Sequence, residues 1–324
     1  MTTMHRAGLL IVCAFACGES TPPVEAMDSS SSDESSSSSS TTDAPEPASS
    51  VTTEDMRLDL PTPVAMGCQK IDFLFVIDDS GSMVDEQARL IDGFPGFIAD
   101  IQEAIAQYDY HMMVVTPDGM LLPDDPTACD ATLGAGRIVS GDGSDCGLAG
   151  PDRFVSAADD PEELASMFGC LADVGTAGNG HEMPIWAMAQ AVTEQSNPGG
   201  CNEGFLRDDA ILVVTIITDE EDDAMLDSPG DPALWHDVML SAKYGDPKAI
   251  VMLGLIGDTD LDDAVCQPSD GEGHGAEAAP RLRELVDSFP HGQRASVCLD
   301  EYASFFNAAI ADIGEACTEF EPPG

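Results

Sequence analysis

The run Ile71-Asp72-Phe73-Leu74-Phe75-Val76-Ile77, followed at once by Asp78-Asp79-Ser80-Gly81-Ser82-Met83, constrains this chain more than any other stretch. Its first half is apolar and reads as a strand buried on both faces, as in the centre of a parallel sheet. Its second half places a carboxylate and two hydroxyls where that strand must end. In open α/β sheets, ligands collect outside the carboxyl ends of the strands. Asp78, Ser80 and Ser82 alternate, so a turning backbone can aim all three at one point. They offer hard oxygens, which suit Mg²⁺. A polar loop capping a helix, with Ser82 as the N-cap, accounts for the same residues without a metal.

The remainder alternates between strand and helix patterns. Further strands are expected at 110–116, 210–218 and 249–256. Helices are expected at about 83–106, 161–171, 182–195, 232–244, 280–288 and 300–318. The first carries Leu90, Phe94, Phe97, Ile98, Ile101 and Ile105 at helical spacing, with Pro95 placed to kink or split it. Residues 117–158 are rich in Gly, Asp and Pro and read as an insertion, with a hairpin of 136–139 against 153–155. This order implies an α/β fold, a doubly wound and mostly parallel sheet with helices on both faces, over residues 66–320.

Two more stretches join the first. Asp173-Val174-Gly175-Thr176-Ala177-Gly178-Asn179-Gly180 is a glycine-rich loop around a threonine, ahead of a helix. Thr218-Asp219-Glu220 ends the next long strand. The order Asp-x-Ser-x-Ser, loop threonine, strand-end aspartate resembles the metal-ion-dependent adhesion site of von Willebrand factor type A (VWA) domains. The resemblance covers roughly residues 68–317 and departs from the family where Glu220 replaces the usual glycine. It implies that Ser80, Ser82 and Thr176 touch the metal and that Asp78 and Asp219 act directly or through water. One position is left for a carboxylate of a protein partner. It implies Mg²⁺, with Mn²⁺ or Ca²⁺ as alternatives, in an adhesion or scaffold module that is not an enzyme.

Other candidates are weaker. Asp219-Glu220-Glu221-Asp222-Asp223 reads as a solvated acidic loop, with a second cation as its rival. Asp258-Thr259-Asp260-Leu261-Asp262-Asp263 starts like a calcium loop, but the sixth and twelfth positions hold Asp263 and Ser269 instead of Gly and Glu. His181 lacks the second histidine of a zinc protease, and Glu182 reads as a first-turn acid favoured by a helix dipole. Trp186 and Met188 read as core. No nucleophile elbow or phosphate loop occurs.

Twelve basic against sixty acidic residues give a net charge of −48, which repels nucleic acid. At the N-terminus, His5 and Arg6 precede a short apolar run. Ala14-Phe15-Ala16-Cys17 resembles a lipobox, so residues 1–17 read as a signal peptide with Cys17 as the lipidated residue. Residues 18–65, with ten serines at 29–40, read as a disordered tether. By these signs the chain sits in the cell envelope, held to the outer membrane through its lipid alone. Setting Cys13 and Cys17 aside, the ten cysteines leave eight, and an even number in an exported chain implies disulfides. Sequence proximity suggests Cys129–Cys146, Cys170–Cys201 and Cys266–Cys298, leaving Cys68–Cys317. Two other functions fit the same residues: a disulfide-stabilised structural surface protein without metal, and a secreted metal-dependent hydrolase.

Overall fold

The computed structural model describes residues 67–105, 108–118, 129–156, 159, 163–178, 180–222, 230–270 and 274–323. Cys17, the tether and Asp223 lie outside them. Six strands form one sheet: β1 (Lys70–Ile77), β2 (Asp109–Val115), β3 (Val155–Ser156), β4 (Ile211–Ile217), β5 (Ile250–Ile256) and β6 (His291–Ser296). Their order is β3-β2-β1-β4-β5-β6, and every pairing is parallel except β2 with β3. From β1 the chain steps to β2 on one side and later to β4 on the other. The crevice between β1 and β4 is therefore the topological switch point, where open α/β sheets bind ligands.

Strand alternation explains why both faces need helices. Phe73, Phe75 and Ile77 enter one core layer with Leu90, Phe97, Phe168, Phe306 and Ile313. These come from α1 (Val84–Ile105), α2 (Leu164–Ala172) and α6 (Ala303–Glu319). Leu74 and Val76 enter the opposite layer with Ile185, Met188, Trp235, Met239, Leu282 and Leu285. Those come from α3 (Pro184–Val192), α4 (Pro232–Ala242) and α5 (Pro280–Asp287). Phe97 stacks on Phe306 with ring centroids 4.1 Å apart, joining α1 to α6. The fold is thus α/β and doubly wound.

Several local expectations need correction. α1 runs as one helix through Pro95 rather than splitting there; the side chains of Phe94 and Ile105 lie outside the described residues. Segment 136–139 does not pair with 153–155. Arg137 instead donates its amide to the Val114 carbonyl at 2.8 Å, and Val155 pairs with β2. Both halves of the insertion were drawn to the open edge of β2, which offers unpaired backbone groups. The edge strand β6 has no apolar run to announce it, since its burial alternates and its sequence is His-Gly-Gln-Arg-Ala-Ser.

Four disulfides close the fold. Cys68–Cys317 and Cys266–Cys298 are paired as sequence proximity and elimination suggested. The other four cysteines are exchanged: Cys129 bonds Cys201 and Cys146 bonds Cys170. Proximity in sequence failed because the insertion folds back onto later segments. The buried Asn202 accepts the Gly136 amide at 2.8 Å and donates to the Gly134 carbonyl at 2.8 Å, which brings its neighbour Cys201 beside Cys129. Cys68–Cys317 spans 249 positions. Replacing both of its cysteines by alanine is expected to cost about 4–5 kcal/mol, the upper end for long loops. A urea unfolding midpoint unchanged from wild type would contradict this.

Candidate metal site

The site forms at the carboxyl ends of β1 and β4. The Asp78 amide extends the ladder to the Ile217 carbonyl at 3.0 Å, so the carboxylate of this fully buried residue is fixed in the crevice. Its Oδ1 accepts the Ser80 amide at 2.7 Å, and its Oδ2 accepts the Thr218 hydroxyl at 2.6 Å. The turn then places the Ser80 and Ser82 hydroxyls 2.9 Å apart. Ser82 in turn donates to Asp219 Oδ1 at 3.1 Å. Ser82 is therefore no helix cap: it sits inside a short 3-10 turn, Gly81–Met83, and its hydroxyl serves the crevice.

The glycine-rich loop comes alongside. Gly178 donates its amide to the Asp79 carbonyl at 2.8 Å, and the Asp173 carbonyl accepts the Gly141 amide at 2.6 Å. Gly178 must be glycine, because a Cβ there would lie 2.5 Å from Asp79 Oδ1. Gly175 turns the loop with φ 79°. The Thr176 carbonyl faces Gly81, 4.0 Å from where a Cβ on that glycine would sit. So Asp78, Ser80, Ser82 and Asp219 are joined by side-chain contacts, and Thr176 approaches by its backbone.

The electrostatics are unbalanced. Neither Asp78 nor Asp219 is ion-paired with a described residue. Burial pushes the Asp78 carboxyl up, against the Thr218 and Ser80 hydrogen bonds. Burial and then the Asp78 charge push Asp219 up to about 7. Burial, followed by the charges of Asp118 and Asp78, does the same to Asp79, also to about 7. Glu182 is the extreme case. It is fully buried, neither carboxylate oxygen has a hydrogen-bond partner among the described residues, and burial together with Asp78, Asp79, Glu220 and Asp118 pushes it up to about 11.

Glu182 is not the first-turn acid the sequence suggested: it precedes α3, its backbone forms an antiparallel bridge with Asp118, and a lone glutamate after a glycine loop carries no signal of its burial. The α3 amide of Ile185 is held by Asp222 Oδ2 at 3.0 Å. Glu221 Oε2 likewise accepts the Arg281 amide at the start of α5, at 2.8 Å. Glu221 and Asp222 are thus not part of a solvated loop: they seat the N-termini of two helices. In the 258–263 loop, Asp258 accepts the Val265 and Cys266 amides, each at 2.9 Å, and Asp260 pairs with Arg283. Asp258 is thus a buried structural peg, while Asp260, Asp262 and Asp263 are exposed surface acids. Met188 is fully buried core, Trp186 packs beside it half-buried, and His181 is exposed.

Among the described residues, no group of three or more His, Cys, Asp or Glu side chains is arranged to hold a metal. The donors assembled here are chiefly hydroxyls. Mg²⁺ binds oxygen at about 2.0–2.1 Å with octahedral geometry, so neighbouring ligands lie about 3 Å apart. The Ser80–Ser82 and Ser82–Asp219 oxygens are 2.9 and 3.1 Å apart. With two buried, unneutralised carboxylates behind them, these oxygens fit a hard divalent cation.

No protein-family model matches the chain, and no curated protein matches it. Among solved structures that match is proximal thread matrix protein 1 from the mussel byssus. It aligns over 76% of this chain and 49% of its own, at 11% identity and a TM-score of 0.41. The chain spans about half the length of that protein. At this distance the likeness carries no statement about family or function.

Proposed function

We propose that the domain is a VWA-type, metal-dependent protein-binding module that is not an enzyme. The observation that carries this reading is the chain of Ser80, Ser82 and Asp219 oxygens at octahedral-edge spacing above a buried, unpaired Asp78. When bound, Mg²⁺ would supply an electrophilic centre for a partner's Asp or Glu. Ser80, Ser82 and Asp219 would hold it, Asp78 would balance its charge, and the Thr176 loop would complete the rim. Mn²⁺ and Ca²⁺ are alternative occupants. Cys17 would anchor the module to the envelope, the outer membrane by the lipobox reading, with residues 18–65 as tether. Hydroxyl-dominated ligation leaves little drive to ionise a bound water, which counts against the hydrolase. The four disulfides favour a second reading, a stabilised structural surface protein without metal.

Titration calorimetry of Mg²⁺ into the full chain separates the two. Saturable binding is expected, weakened about tenfold or more in Asp78→Asn and in Ser82→Ala. Affinity unchanged in both variants would remove the metal reading and leave the structural one.

A further inference from the structure

One strand over from Asp78, at the same end of the sheet, β2 runs into Thr116. There a small cleft, open to solvent, is lined by Thr116, Asp130, Arg137 and Arg153 among others. Two of the chain's twelve basic residues meet here, against sixty acidic ones. Arg153 is tied down: its Nε donates to the Gly136 carbonyl at 2.5 Å, and its Nη2 donates to Asp130 at 2.5 Å. Arg137 is not. Its backbone is pinned to Val114, yet its Nε is buried without a hydrogen-bond partner among the described residues. An unmatched buried donor costs about 1–3 kcal/mol, more for a charged group, so this guanidinium is short of an acceptor. Burial lowers its pKa, with the Asp79 charge as the main opposing influence.

We propose that this cleft is a carboxylate subsite: Arg137, backed by Arg153, takes a second acidic side chain of the peptide whose first acid reaches the metal. The inference rests on the proposed function and resolves a difficulty in it. Asp79, Asp85, Glu86 and Glu220 crowd the same end of the sheet, and an acidic partner meets that charge before it meets the ion. Adjacent strands lie about 4.8 Å apart, so an extended peptide crossing the strand ends can present acids to both places. A guanidinium fork matches a carboxylate in two parallel hydrogen bonds, where a lysine would act as a point charge.

The test has two arms, both with the full chain. In the first, without metal, acetate is titrated at constant ionic strength against chloride, and the Arg137 Nε–H resonance is followed by NMR. A saturable shift is expected with acetate alone. In the second, with Mg²⁺, peptides carrying one aspartate, or two separated by one residue, are compared by calorimetry. The two-aspartate peptide should bind about tenfold tighter, equivalent to about 1.4 kcal/mol, and Arg137→Lys should erase the difference. A silent Arg137 resonance, or equal affinity for the two peptides, overturns the subsite even where Mg²⁺ binds. A responding resonance with no Mg²⁺ binding keeps the subsite and removes the metal reading instead.

Discussion

Replacing Arg207 by methionine is expected to lower the unfolding free energy by about 3–5 kcal/mol, the cost of leaving one partner of a buried ion pair alone. Asp72 is fully buried within β1. Arg207 meets it through its amide at 2.7 Å and its Nε at 2.8 Å. The same guanidinium reaches the carbonyls of Ile71 at 3.0 Å and Asp109 at 3.2 Å, tying β1 to β2. Lys243, itself buried, donates to the Arg207 carbonyl at 2.7 Å. Burial still outweighs these cations, holding the Asp72 carboxyl up at about 6. The pair is therefore costly to bury and costlier to break. Urea unfolding followed by Trp186 and Trp235 fluorescence measures the loss. Adding Asp72→Asn to the methionine variant should restore most of it, since the stranded charge is then gone. A single variant within about 0.5 kcal/mol of wild type would show that Asp72 finds other partners.

That pair also marks how far the sequence could be read. The apolar runs of β1, β4 and β5 were plain because strands buried on both faces have no polar face to hide them. The partner of Asp72 was not read from the sequence: Arg207 lies far away in the chain, and only the fold brings it beside β1. Strand β6 gave no such sign, because an edge strand is half-exposed and its ladder bonds need no apolar side chains. The disulfide exchange was illegible for a different reason. It depends on Asn202 gripping Gly134 and Gly136, a contact between segments far apart in sequence.

The candidate site divides in the same way. Asp78, Ser80, Ser82 and Asp219 were found because each ends a recognisable strand or opens the turn after one. The burial of Glu182 and the capping roles of Glu221 and Asp222 were not, because burial alone distinguishes them from surface acids. Net charge hides this further, since in a chain so acidic one more glutamate carries little information. What the structure adds is therefore mainly electrostatic: the acids nearest the crevice are buried, and no described cation is ion-paired with Asp78, Asp219 or Glu182.

From that follows an inverted dependence on pH. The chelator-treated, dialysed protein is expected to melt several degrees higher at pH 5 than at pH 8. Asp72 at about 6, Asp79 and Asp219 at about 7, and Glu182 at about 11 all hold protons more tightly in the folded state than at the ordinary values of 3.8 and 4.5. Groups raised in this way contribute stability that is full below the ordinary carboxylate range and lost as pH rises through their folded values. Glu182 stays protonated throughout, so its contribution declines steadily across the window. His111 and Lys243, both lowered by burial, work the other way, but they are two groups against four. Magnesium should then substitute for protons. At pH 8 and a hundredfold excess over its dissociation constant it adds about 2.7 kcal/mol, or about 5–10 °C for a domain of this size. At pH 5 protons hold the same oxygens and the shift should shrink to a small fraction. Thermal scans at both pH values, with and without Mg²⁺, read both effects. Melting that rises with pH in the metal-free protein would contradict the buried-acid account. An Mg²⁺ shift of equal size at both pH values, or one that survives in Asp78→Asn, would place the ion elsewhere on this acidic surface.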